Sequence, residues 1–328
     1  MKRMNAGFLV LPAALAAGLA PASAVHAQAV WPERPVKLVV PYVPGAMGDL
    51  VARIMSEPLR AELGQSVVVD NRPGAGGSVG SRAVEQAAPD GHTFLVASTN
   101  NLVINQFVYK DLGFDPLKRL EPVTILVDVA SVLFIPAAVP AKTFQEFAAW
   151  ARAIPGKVNY ASPGSGTQPH LSAEAINQIY KLGMAHVPYK GGGQAVAALL
   201  GNEVQFYLAG AGVAGNHVKG GRLRAIAVSH RTRIEALPDT PTFTEAGILG
   251  VNASNWWGVV APKGTPAPII DSMRSALCKV LADPANRARI VQLGVTPVCN
   301  TPAEMARQIG DEAPYWQRAV QTLGIKAD

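Results

Sequence analysis

The chain has 328 residues, of which 49% are apolar and 16% charged, and its formal net charge is +6 at neutral pH. The charges are scattered along the sequence and form no basic stripe, so we expect no nucleic-acid partner. After residue 29 no apolar stretch approaches the roughly 20 residues that a membrane-spanning helix needs, which favours a soluble mature chain. The remaining length exceeds what one hydrophobic core usually serves, so two domains are expected.

Residues 1–29 have the three parts of a secretory signal peptide. Lys2 and Arg3 give a basic start, FLVLPAALAAGLA is an apolar run too short to span a bilayer, and small residues follow. Three cleavage positions fit these small residues: after Ala24, Ala27 or Ala29. Cleavage removes Lys2 and Arg3 and no acidic residue, so the formal charge falls from +6 to +4. We therefore expect the mature protein in the periplasm.

Short β-branched apolar runs alternate with helix-like runs through the rest of the chain, which is typical of α/β architecture. Strands are predicted at Val36–Val40, Val67–Val69, Thr93–Ala97, Val123–Val127, Val132–Ile135, Lys157–Ala161, His186–Pro188, Val204–Leu208, Leu223–Val228 and Trp257–Ala261. Helices are predicted at 50–63, 78–87, 194–200, Pro268–Leu281, Pro302–Gly310 and Pro314–Leu323. Two T-x-x-E capping boxes mark further helix starts, at Thr143 with Glu146 and at Thr301 with Glu304.

The two halves of the chain repeat one order of elements. Strand 36–40 leads through a loop and a helix into two further strands, and strand 157–161 begins the same succession. Each half is therefore predicted to be doubly wound, with its ligand site at the carboxyl ends of its strands. The C-terminal helices are expected to pack back on the first half. The predicted lobes, joined by a hinge, are 30–128 with 253–328 and 129–252.

The segment Pro41–Asp49 (PYVPGAMGD) joins a predicted strand to a predicted helix. Its proline and glycine residues favour a tight loop, and Asp49 is predicted to be the N-cap of the helix. A helix start leaves backbone N–H groups free, and both these donors and the helix dipole favour an anion. As an alternative to capping, the carboxylate of Asp49 could contact an amine or a hydroxyl of a ligand.

Two later segments supply similar groups in the second half. SPGSGT (162–167) follows a predicted strand and adds hydroxyl groups at a helix start, where His170 is expected to be a packing residue. PYKGGG (188–193) supplies Tyr189 and Lys190 at the end of a further strand. These segments could instead be ordinary turns in which glycine serves the backbone geometry. Two such loops placed equivalently in two lobes favour the binding of a carboxylate.

No signature of an enzyme, a cofactor or a metal accompanies these loops. GAGGSVG (74–80) is close to a dinucleotide fingerprint but has the wrong glycine spacing, and neither a G-x-S-x-G elbow nor a P-loop is present. The histidines and carboxylates lack metal-ligand spacing. We therefore expect no catalytic residue, no cofactor and no metal. Cys278 and Cys299, the only cysteines, form either a disulfide or two buried thiols.

At these loops the chain resembles the Bug family, the TctC-like substrate-binding proteins of tripartite tricarboxylate transport systems. The resemblance covers nearly the whole mature chain and is carried by WPERPVKLVVPYVPG, LGQSVVVDNRPGAGGSVG, APDGHTF, IPGKVNYASPGSGTQPHL, HVPYKGGGQAV, GGRLRAIAVS, LPDTPTFTEAG and APKGTP. It implies a type II periplasmic-binding-protein fold, with two doubly wound α/β lobes, a hinge and a carboxylate enclosed between them. It also implies a first pincer at Tyr42, Pro44, Gly45 and Ala46 and a second at Ser162, Ser165, Gly166 and Thr167.

Two residues depart from the family pattern. Ala46 stands where the family usually has a second glycine, so the backbone there is less free to approach a ligand. Ala209 stands where the family often has an aspartate that suits ligands with an amine or an extra hydroxyl. Its loss favours a plain or aromatic carboxylate.

The predicted function is an extracytoplasmic receptor, expected to be a monomer, that captures a small organic carboxylate. It would deliver this ligand to the permease subunits of a tripartite tricarboxylate-type transporter in the membrane. Two alternatives are a ligand-sensing subunit that engages a signalling partner and a carboxylate-processing enzyme on the same scaffold.

Overall fold

The computed structural model describes residues 1, 31–110, 112–113, 115–253 and 255–326. The predicted signal peptide and its cleavage positions lie outside the described residues. The chain divides into Met1–Trp31 and Pro32–Asp328, and all the elements named below belong to the second unit.

The strands alternate with helices along the chain, as the apolar pattern predicts. In chain order they are β1 (Val36–Val40), β2 (Val67–Asn71), β3 (Thr93–Ser98), β4 (Leu120–Asp128), β5 (Ser131–Pro136), β6 (Asn159–Ser162), β7 (Ala185–Pro188), β8 (Phe206–Gly210), β9 (Leu223–Val228), β10 (Trp256–Pro262) and β11 (Thr296–Pro297). Every predicted strand is present, with its ends shifted by at most three residues. The pattern missed β11, because a strand of two residues has no apolar period to detect.

The strands form two mixed sheets. The first has the order β11-β4-β10-β3-β1-β2, and the second has the order β7-β6-β8-β5-β9. In the first sheet β1 runs parallel to β2 and β3, whereas β10 runs antiparallel to β3 and β4. In the second sheet β6 runs parallel to β7 and β8, and β5 runs antiparallel to β8 and β9.

The helices connect these strands. They are α1 (Met47–Leu63), α2 (Ser78–Glu85), α3 (Asn105–Val108), α4 (Pro116–Arg119), α5 (Phe144–Ala153), α6 (Gln168–Ile179), α7 (Gly192–Leu200), α8 (Ala211–Lys219), α9 (Ala267–Ala282), α10 (Pro284–Gln292) and α11 (Pro302–Leu323). A 3₁₀ turn (Ala75–Gly77) precedes α2, and a π-helical segment (Asn100–Ile104) precedes α3. Among the described residues, every helix is too short or too polar to cross a membrane.

The two helices predicted near the C-terminus are one. α11 continues through Pro314 because a stripe of buried residues, including Ile309 and Trp316, packs against β4, the π-helical segment and the neighbouring helices. The capping box predicted at its start is present, since Thr301 and Glu304 exchange side-chain and backbone hydrogen bonds. The box predicted at α5 is only half formed. The Thr143 hydroxyl accepts from the backbone N–H of Glu146, but the Glu146 carboxylate accepts from the backbone N–H of Lys142 instead of that of Thr143.

The two sheets pack against separate apolar cores. One core packs α11, α3 and the π-helical segment against the first sheet around Trp256 and Trp316. Two others cover the faces of the second sheet around Phe147 and Phe134. The chain passes between the sheets at 129–130, from β4 to β5, and returns between β9 and β10. The boundaries of the lobes themselves stay a prediction.

The cysteines form a disulfide. Cys278 lies in α9 and Cys299 precedes α11, and their Cα atoms are 5.6 Å apart. The bridge ties α9 to the segment between β11 and α11. This decides between the two alternatives that the sequence left open.

Candidate functional site

Loop one (residues 41–46) lies between the carboxyl end of β1 and the start of α1. Gly45 has φ +84°, a left-handed conformation that glycine adopts without strain. This turn lets α1 begin earlier than predicted, with Ala46 as its N-cap and Asp49 as the third residue of its first turn. The prediction that Asp49 is the N-cap is therefore wrong. Ala46 has extended dihedral angles that any residue adopts, so a second glycine is not needed there.

The carboxylate of Asp49 holds loop one in place. It accepts hydrogen bonds from the Gly45 N–H at 2.9 Å, from Arg53 Nε at 2.9 Å and from Asn71 Nδ2 at 3.0 Å. Asn71 also donates to the carbonyl of Tyr42, which fastens the other end of the loop. Burial alone would raise the pKa of Asp49, but these hydrogen bonds outweigh it and hold the pKa below its usual value. Its charge is thus paired within the protein.

The donors that loop one offers to a ligand are at the helix start. The Gly45 N–H is already used by Asp49, and the Ala46 N–H donates to Val43 at 3.2 Å. Among the described contacts, the N–H groups of Met47, Gly48 and Asp49 have no acceptor. They are the free donors expected at a helix N-terminus. Pro44 is exposed at the tip of the loop and supplies no donor.

Aromatic residues support this helix start from below. Gly48 packs against the Trp257 ring so closely that a Cβ at this position would overlap the ring. Trp257 meets Tyr42 edge-on, with ring centroids 5.3 Å apart. The Tyr42 hydroxyl donates to the carbonyl of Gly76 at 3.1 Å and lies 3.3 Å from Ser98 Oγ. Burial raises the pKa of Tyr42 to about 12, so it is a neutral hydroxyl.

Loop two (residues 162–167) lies between β6 and α6 and is closed by its own hydrogen bonds. Ser162 is fully buried, and its hydroxyl bonds with both the N–H and the carbonyl of Gly164. Thr167 Oγ1 donates to the same carbonyl at 2.7 Å. Ser165 is exposed, and its N–H and the N–H of His170 lack an acceptor among the described contacts. Ser162 thus shapes the loop, while Ser165 faces outward.

Two stacked histidines lie beneath loop two. The rings of His170 and His186 are 3.7 Å apart and nearly parallel. His170 Nδ1 accepts from the Gly166 N–H at 3.0 Å, and His186 Nε2 lies 2.7 Å from Ser162 Oγ. Burial, followed by the neighbouring His186, lowers the pKa of His170 to about 3, and burial also lowers the pKa of His186. Both rings are therefore neutral. The packing role predicted for His170 is confirmed, whereas His186 carried no signal in the sequence.

Asn100 brings the two loops together. It lies in the π-helical segment after β3, and its Oδ1 accepts from the N–H of Gln168, the first residue of α6, at 3.0 Å. Its Nδ2 donates to Asn105 Oδ1 at 2.8 Å, and Asn105 Nδ2 donates to the Gly76 carbonyl, which also accepts from the Tyr42 hydroxyl. Gly166 adds a second contact, because a Cβ there would press on Val108 of α3. Sequence reasoning missed Asn100, although a polar run directly after a strand could have indicated it.

Segment 188–193 and Ala209 contribute fewer groups to the candidate site than the two loops do. The Tyr189 N–H donates to the Ser162 carbonyl at 2.9 Å, and its ring packs beside the core of the second sheet. Lys190 is exposed, with its N–H donating to the side chain of Gln194. Ala209 is buried in β8 opposite Val132.

A cavity of about 570 Å³ lies elsewhere, at the passages between the sheets. It is lined by charged groups of both signs from the passages, the segment after β9 and α11, among them Asp128, His230, Arg231 and Arg307. Burial raises the pKa of Asp128, which the nearby His230 partly offsets. This cavity shares no residue with either loop. The loops are the candidate ligand site, because free N–H groups of two helix starts lie there, whereas the cavity is lined by charges of both signs.

Groups that could hold a metal are missing from the part of the chain that the structure describes. No three His, Cys, Asp or Glu side chains there are grouped closely enough to bind an ion.

Comparison with known families shows to which family the chain belongs. The family model described as tripartite tricarboxylate transporter family receptor (TctC) matches residues 51–325. The chain belongs to this family. BugT of Bordetella pertussis (strain Tohama I) is 34% identical to it over 297 residues, which are 90% of this chain and 91% of BugT.

Solved structures of TctC-type binding proteins have the same fold. The periplasmic binding protein BugD is 32% identical, with a TM-score of 0.80 over 91% of this chain and 100% of BugD. Rpa4515 of R. palustris with adipate is 29% identical, with a TM-score of 0.83 over 90% of this chain and 99% of its own. MatC from Rhodopseudomonas palustris with bound malate is 30% identical, with a TM-score of 0.79 over 88% and 100%.

These findings confirm the resemblance to the Bug family and the two-lobed α/β fold of periplasmic binding proteins. The chain is a solute-binding receptor. Its relatives are binding proteins and not enzymes, so the alternative of a carboxylate-processing enzyme is wrong.

Proposed function

We propose that this TctC-type receptor captures a small carboxylate in the periplasm and delivers it to a tripartite tricarboxylate-type membrane transporter. The ligand would lie between a lobe of residues 30–128 with 253–328 and a lobe of residues 129–252. The observation that supports the proposal is the series of hydrogen bonds that links loop one, at the start of α1, through Asn105 and Asn100 to the start of α6.

The electrostatics of the two loops support a carboxylate. The start of α1 contributes three free N–H groups and the start of α6 contributes that of His170, and each adds the positive end of a helix dipole. Arg53 pairs with Asp49 in the first turns of α1, so the Asp49 carboxylate opposes an anion less than an unpaired carboxylate would. A dissociation constant of 1 μM corresponds to about −8 kcal/mol. A few charge-assisted hydrogen bonds of about 1.5–3 kcal/mol each, with burial of the ligand, can supply it.

The relatives support the same class of ligand, since the solved structures include one with adipate and one with malate. Both of those ligands carry two carboxylates, which would suit two helix starts. Ala209, in place of the aspartate frequent in the family, favours a plain or aromatic carboxylate. The transport system named for the family supports permease subunits as partners, and we propose that the receptor acts as a monomer.

A substitution at the start of α1 tests the proposal. Met47 is the first residue of α1 and follows Ala46, whose extended backbone suits a residue before proline. Met47→Pro therefore removes one free N–H and keeps the helix, because proline is favoured at this position. Met47→Ala is the matched control, since it removes the side chain and keeps the N–H.

The measurement is calorimetric titration of the purified protein with adipate, malate, citrate and benzoate. We expect at least one of them to bind, with a 10-fold or greater loss of affinity in Met47→Pro and little change in Met47→Ala. Because ligand at 100 times its dissociation constant stabilises a protein by about 2.7 kcal/mol, thermal unfolding gives an independent reading. Failure of every carboxylate to bind or stabilise the protein would refute the proposal.

A further inference from the structure

Two glycines touch across the facing edges of the two sheets. Gly212 is the second residue of α8, directly after β8 of the second sheet. Gly294 lies in the turn between α10 and β11 of the first sheet. The contact joins the two lobes beside the first passage of the chain, because Gly210 pairs with Ser131 and Thr296 pairs with Asp128. It is also outside the two loops and outside the 570 Å³ cavity.

The contact has no room for a side chain on either side. A Cβ at Gly212 would overlap the backbone carbonyl of Leu293, and a Cβ at Gly294 would overlap the backbone of Gly212. Because the obstructing atoms are backbone, they cannot rotate away as the end of a long side chain can. Gly212 is exposed and Gly294 half-buried, so this contact lies at the rim between the lobes, next to the first passage, and not in a core.

We infer that Gly212 and Gly294 form a closure seam, which sets how far the lobes close and so governs ligand affinity without touching the ligand. A ligand held between two lobes binds only the closed form. Its apparent dissociation constant therefore rises as the closed fraction falls. A methyl group in the seam keeps the lobes apart, and because the rim buries little apolar surface, the lobes can separate without unfolding. The effect on affinity rests on the proposed function, whereas the effect on lobe separation does not.

One helix supplies both the test variant and its control. Gly212→Ala places a Cβ against Leu293, whereas Gly215→Ala, one turn later in α8, places its Cβ in open space. Both replace glycine by the best helix former within the same helix. Both variants should therefore unfold at the same or a higher temperature than the wild type. Only Gly212→Ala should separate the lobes.

The experiment measures X-ray scattering of the purified protein without ligand and calorimetric titration with adipate and malate. Gly212→Ala is expected to have a larger radius of gyration and a 10-fold or greater loss of affinity, with Gly215→Ala like the wild type in both. Gly294→Asn fills the seam from the other side with a residue that tolerates a left-handed backbone, and it should act in the same way.

If Gly212→Ala and Gly294→Asn are both folded and have the radius of gyration of the wild type, the closure seam is overturned. Larger scattering dimensions with unchanged affinity would overturn its role in binding. If neither probe binds even the wild type, the proposed function fails, and the scattering comparison alone still supports or overturns the seam.

Discussion

Replacing Asp49 by alanine tests whether this residue holds loop one or contacts the ligand. Hydrogen bonds to a charged group contribute about 1.5–3 kcal/mol each where water cannot replace the partner. Gly45 is exposed and Asn71 only partly buried, so we take about 1 kcal/mol for each of these two bonds. The Arg53 side chain is largely exposed and can be hydrated instead. Asp49→Ala should therefore lower the free energy of unfolding by about 2 kcal/mol.

Urea unfolding of Asp49→Ala at neutral pH gives the magnitude, and Glu57→Ala on the exposed face of α1 is the matched control with little expected change. Hydrogen bonding holds the pKa of Asp49 below its unfolded value of 3.8, so its contribution is fully present above that pH. It is lost as the pH falls through the lower folded value. The difference between wild type and variant should shrink accordingly. Unchanged stability together with a large change in carboxylate or amine affinity would refute the structural role and make Asp49 a ligand contact.

Three further predictions concern the histidine pair, loop one and the disulfide. The pKa of His170 is about 3 in the folded chain against 6.5 unfolded, so the unfolded chain binds more protons between these values and stability falls as the pH drops through that window. His170→Phe should reduce the dependence of the free energy of unfolding on pH, measured by urea unfolding at several pH values. The same dependence in the wild type and the variant would contradict a His170 ring that stays uncharged in the folded protein. Gly45→Val forces a β-branched residue to φ +84° and should weaken carboxylate binding at least 10-fold by calorimetry. Gly45→Asn should bind as the wild type does, because asparagine tolerates this backbone conformation. Equal affinity of the two variants would show that loop one does not form the site. The double variant Cys278→Ser, Cys299→Ser removes a disulfide that spans 21 residues and should lower the free energy of unfolding by about 3 kcal/mol. An unchanged free energy of unfolding in denaturant would argue against the bridge.

The elements of the fold were predictable from local pattern. β1 and β9 begin and end at the predicted residues, because each is a short apolar run bounded by proline, glycine or charge. The two loops were recognisable as turns between a strand and a helix. Pro314 misled the prediction of α11, since burial of one face carries the helix across a proline that local rules treat as a break.

The contacts that assemble the candidate site were not predictable in this way. Asn100 reaches Gln168 only because the chain crosses between the sheets and returns, and no local spacing encodes that meeting. His186 stacks on His170 because β7 pairs with β6, the strand that leads into α6, and this pairing is not encoded in the local spacing. The engagement of the Gly45 N–H by Asp49 could not be predicted either, because it depends on where the helix begins. Gly212 and Gly294 likewise gave no signal, since each is an ordinary glycine until the lobes are placed together.

Amide NMR during titration with adipate or malate tests the central claim most directly, because it locates the ligand as well as detecting it. We predict saturable shifts at both helix starts, in the N–H signals of Met47, Gly48 and Asp49 in α1 and of Gln168 and His170 in α6. Shifts confined to the cavity lined by Ser229–Arg231 and α11, or no shifts at millimolar ligand, would contradict capture of a carboxylate between the two loops.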